Sequence, residues 1–258
     1  MTLKKKLFAI KDYLWDRPWL RDALSCACFV CTLVGLDGSL RLIHHNVGIT
    51  GVFSGIPWVF TLAWAALLTG LGRLLPARGQ KTAMGVIGGV ATVLFLTNAI
   101  LHRAKGTFFS WSILIFATDG FKFLDPSYLA VRKLVWIVFL AGIAGTALSV
   151  WLVPPGRRTL RSRGIALLAA VLGVAAININ REVRLTDRLA IHFNIYQASL
   201  LYEDFSSPNE CLPLTGLYQY TFRDFCLTYG VYDKLGRVGH GDAVKKLDQW
   251  YASKVPDP

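Results

Sequence analysis

The chain has 258 residues, of which 53% are hydrophobic and only 17% charged, with a formal net charge of +12. Soluble domains carry about 25% charged residues, so this composition excludes an ordinary soluble domain over most of the length. The excess positive charge is not a nucleic-acid signal. From Asn180 onward nine Lys/Arg face ten Asp/Glu, so the surplus belongs to the hydrophobic part and its flanks. Membrane topology and anionic lipid explain it there, and no nucleic-acid partner is expected.

Hydropathy in chain order predicts an all-α membrane protein. A bilayer crossing needs roughly twenty mostly apolar residues. Five stretches qualify, at about 23–43, 53–75, 82–101, 134–153 and 160–179. The first carries two charges, Asp37 and Arg41. The third has a glycine-rich first half at Gly85, Gly88 and Gly89. The fifth is the weakest, since Arg161 and Arg163 intrude at its start. Trp58, Trp136 and Trp151 mark span ends, where an indole finds both apolar and polar surroundings. The basic N-terminus precedes an apolar run too long for a cleaved signal peptide, which reads as an uncleaved signal-anchor.

Lys and Arg near the span ends set the orientation. They cluster before the first span (Lys4, Lys5, Lys6, Lys11, Arg17, Arg21), between the second and third (Arg73, Arg78, Lys81) and between the fourth and fifth (Arg157, Arg158, Arg161, Arg163). The 44–52 link has none. The N-terminus is therefore expected in the cytoplasm and the tail, 181–258, outside it. Segment 107–124 is aromatic and apolar but interrupted by Asp119, Gly120 and Lys122. It is expected to be an interfacial or re-entrant helix, because a sixth span would put the Arg157–Arg163 cluster outside.

The tail reads as amphipathic helices. Leu185, Leu189, Phe193, Tyr196 and Leu200 recur at helical spacing, and Ser207-Pro208-Asn209 is expected to end that helix. A second helical piece is expected over 217–229. Glycines at 236, 239 and 241 mark a turn before a short helix over 242–253.

No catalytic signature is present. The five histidines make no HExxH-type spacing, and no nucleotide loop or GxSxG occurs. Neither catalytic nor metal-binding residues are expected in this chain. Cys26, Cys28 and Cys31 read as apolar packing in the first span. Cys211 and Cys226, on the outer side, could form a disulfide. Asp37 and Arg41, four apart, share one helical face. An intramembrane ion pair and a lipid head-group contact are both open readings. His44 and His45 fall at the outer end of the first span. Arg103, Lys105 and Lys122 form part of a second outer basic group that could attract an anionic head group.

Three stretches resemble one family. GLYQYTFRDF (216–225), LTNAILHRAKGTFFSWSIL (96–114) and DAVKKLDQWYASK (242–254) are similar to segments of lipoteichoic acid synthases and related membrane sulfatase-like phosphotransferases. Asn98, Arg103, Gly106, Thr107 and Ser110 are the matching positions of the second stretch. The resemblance implies a bacterial cell-membrane protein acting in the cell envelope, with anionic phospholipid as partner. It also implies a catalytic domain, following this segment or supplied separately. In the family that domain uses manganese or magnesium and transfers phosphoglycerol or a similar head group from phospholipid to a polymer or glycolipid. On that reading this chain is a membrane-anchoring and lipid-positioning domain. A free-standing membrane scaffold or regulatory protein is the alternative, ahead of a small transporter.

Overall fold

The computed structural model describes residues 17–44, 55–115, 130–155, 160–182 and 208–230. All the elements among them are helices: α1 Pro18–His44, α2 Gly55–Leu74, α3 Ala77–Lys105, α4 Ser112–Ile115, α5 Lys133–Leu152, α6 Leu160–Glu182, α7 Pro208–Thr215 and α8 Leu217–Thr228. The five long helices match the five apolar stretches of the sequence to within a few residues at each end. Three of them are long and apolar enough to cross a membrane: Pro18–Ile43, Ala77–Lys105 and Lys133–Leu152. In α2 and α6 the apolar part is shorter, Trp58–Leu74 and Ser162–Ile177. The exposed surface is apolar, with Val86, Val90 and Val93 on α3, Ile137, Leu140 and Ile143 on α5, and Leu168, Val171 and Leu172 on α6. Together these features define a helical membrane protein.

Specific contacts fix how the long helices run. Ser25 on α1 donates to the Ser149 carbonyl of α5 at 2.7 Å, and further along α1 Leu36 lies against Gly142. These two helices are therefore antiparallel. Asp37 meets Thr61 while Asp22 pairs with Arg73, so α1 and α2 are antiparallel too. Gly88 lies on Thr146 and Thr92 on Gly142, which sets α3 antiparallel to α5. One end of the bundle gathers the starts of α1, α3 and α6, with Arg21, Arg73, Arg78, Lys81 and Arg163. The other gathers the end of α1, the start of α2 and the end of α3.

Glycine sets the closest approach, between α2 and α6. A Cβ on Gly70 would lie 2.6 Å from the Ala166 carbonyl, and one on Gly173 would lie 2.6 Å from the Ala63 carbonyl. Backbone meets backbone here, as small residues allow in membrane helix pairs. The obstructing atoms cannot swing aside. Gly173→Ala is therefore expected to lower stability by about 1–3 kcal/mol, as overpacking does. Gly89→Ala, with nothing within 4 Å of the new methyl, is expected to be neutral. Thermal unfolding of the two variants in the same detergent checks the contrast. Equal melting temperatures would refute the packing argument.

In the tail Pro208 opens α7, where its missing N–H costs nothing because the first helical turn has no intrahelical acceptors. Gly216 then turns the chain into α8 at φ 78°, a conformation that disfavours side chains. A Cβ there would also press on Thr61 Oγ1 at 3.0 Å. α8 spans Leu217–Thr228, one residue short of the expected 217–229. The amphipathic stretch 185–200, the short helix 242–253 and the second half of the interfacial segment, 116–124, lie outside the described residues.

Candidate functional site

The polar centre of the bundle is Asp37. Its side chain is fully buried, and an isolated buried carboxylate would be costly. Three donors from three elements satisfy it. Arg41 Nη2 donates to Oδ2 at 2.6 Å within α1. The Thr61 hydroxyl of α2 donates to the same oxygen at 2.5 Å. The Leu217 N–H at the start of α8 donates to Oδ1 at 2.7 Å. The last contact places a full negative charge on the N-terminus of α8, where the helix dipole is positive. Asp37 thus caps a helix 180 residues away in sequence.

Arg41 does not snorkel to the surface. Only 3% of its side chain is exposed, and its guanidinium lies 4.4 Å above the Trp58 ring, a cation–π contact. Trp58 reaches that position because Gly38 leaves room for it; a Cβ there would touch the ring at 2.9 Å. The ion pair read from the i, i+4 spacing is therefore formed. Asp37 faces α2 and α8 and is covered by them, so it is not positioned as a head-group contact.

α8 is locked in by further bonds. The Tyr218 hydroxyl donates to the Leu33 carbonyl at 2.6 Å. Trp64 Nε1 donates to Gln219 Oε1 at 2.7 Å, and the Tyr220 hydroxyl donates to the Phe109 carbonyl at 2.9 Å. Tyr218, Gln219 and Tyr220 thus keep hydrogen bonds as docking buries them, which offsets the cost of leaving water.

The segment after α3 is the second half of the site. Gly106 ends α3 in the left-handed conformation, with its N–H on the His102 carbonyl at 3.0 Å. Two asparagines then hold the following backbone. Asn98 Oδ1 accepts from the Phe109 N–H at 3.0 Å. Asn209 of α7 accepts from Phe108 N–H at 3.2 Å and donates to the Gly106 carbonyl at 2.6 Å. Asp224 of α8 accepts from the Ser110 hydroxyl at 2.9 Å and the Trp111 N–H at 2.6 Å. Burial raises the Asp224 pKa, while these two donors pull the other way by favouring the carboxylate. Phe108 and Phe109 are buried, so this part of 107–124 lies beneath the tail helices rather than on an open surface.

α4, α7 and the end of α8 border an open cleft of about 530 Å³, lined by Thr107, Ser110, Ser112, Asp224 and Thr228 on its polar side. That volume suits a small organic group rather than a single ion. Arg103 and Lys105 sit exposed in the last turn of α3, next to this segment. Of the other expected head-group residues, His45 and Lys122 and the side chain of His44 lie outside the described residues. Among the described residues no cluster of His, Cys, Asp or Glu could hold a metal ion.

The disulfide considered between Cys211 and Cys226 is not present in the structure: the two residues are unbridged and buried. They belong to different tail helices, each turned into its own packing. Burial pushes the Cys226 thiol up, away from the thiolate that oxidation requires.

No known family model, curated protein or solved structure matches this chain.

Removing Asp37 tests the site. Asp37→Ala leaves a buried guanidinium without its counter-charge and α8 without its cap. The expected cost is about 3–5 kcal/mol, as for other broken buried pairs. Hydrogen exchange should rise across Leu217–Thr228 before it rises in α3 or α5. Unchanged protection of α8 would show that Asp37 does not hold it.

Proposed function

We propose that this chain is a five-span membrane domain that positions anionic lipid head groups at its outer end, the membrane half of a phosphoglycerol-transfer system of the lipoteichoic acid synthase type. The N-terminus lies in the cytoplasm, and α7 and α8 lie on the extracytoplasmic side of the bacterial cell membrane. The transfer chemistry belongs to a sulfatase-like catalytic domain, attached or separate, with its own divalent metal.

One observation carries the reading. Residues 208–230 fold back on the end of the bundle and, with the segment after α3, border a cleft whose polar side is Thr107, Ser110, Ser112, Asp224 and Thr228, with Arg103 and Lys105 exposed in the helical turn that precedes Thr107. The hydroxyls and carboxylate suit the polar part of a head group, and the two cations suit its phosphate. Two of the stretches that carry the family resemblance, 96–114 and 216–225, pack on each other through Ser110–Asp224 and Phe109–Tyr220. The alternating helix directions are those that five crossings require. At 1.5 Å per residue even α2, with 20 residues, reaches about 30 Å.

Lipid retention in detergent, measured by native mass spectrometry, tests the proposal. Arg103→Ala with Lys105→Ala is expected to weaken phosphatidylglycerol retention about tenfold or more, at about 1 kcal/mol for each cation near the surface. Phosphatidylcholine retention should not change. Equal retention of phosphatidylglycerol by variant and parent would overturn the head-group role.

A further inference from the structure

α8 is built inside out. Its polar side chains Gln219, Thr221, Arg223 and Asp224 are buried, while Phe222, Phe225, Leu227 and Tyr229 beside them are 39–47% exposed. A helix lying in water shows the opposite arrangement, because apolar burial drives docking and polar groups keep their hydration. The exposed side is also organised. Phe222 packs on Trp64 with ring centroids 5.1 Å apart. Phe225 packs edge-on against Trp111 and lies 4.9 Å from Tyr229. The rings form two groups, one where α8 meets Trp64 of α2 and one between Trp111 and the end of α8.

Depth points the same way. The Tyr218 hydroxyl reaches the Leu33 carbonyl, and Leu33 lies roughly 16 Å below the last residue of α1 at the helical rise per residue. α1 has 27 residues, about 40 Å, against a hydrocarbon core of about 30 Å. A centred α1 therefore places Leu33 about 10 Å and Asp37 about 5 Å inside the hydrocarbon, and the start of α8 is held at the level of Asp37 by the Leu217 N–H.

We infer that the α7–α8 hairpin is embedded in the outer leaflet and that the aromatic face of α8 is covered by lipid acyl chains. The occupant is lipid rather than a second copy of the chain because the face continues a lipid-facing surface. Val59 and Leu62, on the same α2 that carries Trp64, are exposed and apolar. The buried polar side of α8 then has its physical reason: Gln219, Thr221 and Asp224 take their hydrogen bonds from Trp64, the α8 backbone, Ser110 and Trp111 inside the protein, as groups away from water must. The inference concerns acyl-chain contact and stands apart from the head-group proposal. Loss of phosphatidylglycerol selectivity would leave it intact.

The test uses the unmodified protein in liposomes and two labels. A membrane-soluble diazirine probe is photoactivated, and the adducts are mapped by mass spectrometry. Hydroxyl-radical footprinting maps water contact on the same sample. The expected result is diazirine labelling of Phe222 and Phe225 as strong as that of Leu140 on the exposed face of α5, with both phenylalanines protected from oxidation. Oxidation of Phe222 and Phe225 without diazirine adducts would overturn the inference by placing the face in water. Protection from both labels, with Leu140 labelled normally, would overturn it in favour of a protein partner.

Discussion

Everything at this end of the molecule depends on one buried carboxylate. Asp37 lies in an apolar helix, where an unpaired charge would be expensive. The sequence supplies one partner within the helix, Arg41, and one from α2, Thr61. The third is a backbone N–H from the tail. Low surrounding polarity strengthens these bonds, and the α8 dipole adds to them. Once Leu217 is fixed there, Tyr218, Gln219 and Tyr220 fall within reach of α1, α2 and the segment after α3. Residues 208–230 are thereby part of the bundle rather than an appendage to it.

Much of this architecture is legible in the sequence, and the limits have physical causes. Length and hydropathy locate all five long helices, three of them long and apolar enough to cross a membrane. The i, i+4 spacing of Asp37 and Arg41 gives their ion pair. Thr61 and Leu217 carry no comparable signal, since a threonine in an apolar helix and a backbone N–H look the same whether or not a distant carboxylate needs them. Pro208 reads as a stop because proline breaks helix interiors, yet it serves equally well at a helix start. The faces of α8 are visible as periodicity. Periodicity cannot say which face turns inward, and water-based intuition chooses the wrong one.

The two ends of the bundle are held differently. At one end Arg73 ties Asp22 of α1 to Ser162 of α6, and from there glycine lets α2 and α6 meet backbone to backbone along their length. At the other, Asn98, Asn209 and Asp224 hold a short stretch of irregular backbone by its own N–H and carbonyl groups. Irregular backbone is tolerated near a membrane only where such partners exist. The result is the cleft whose polar side is Thr107, Ser110, Ser112, Asp224 and Thr228, on which the head-group proposal rests.

The central claim is that α8 docks inside the bundle beside α2. Photo-crosslinking reads this most directly. A benzoylphenylalanine placed at the position of Trp64, irradiated in native membranes, should form adducts within Leu217–Thr228, where Gln219 and Phe222 now touch Trp64. Adducts confined to lipid or to other helices would contradict the account.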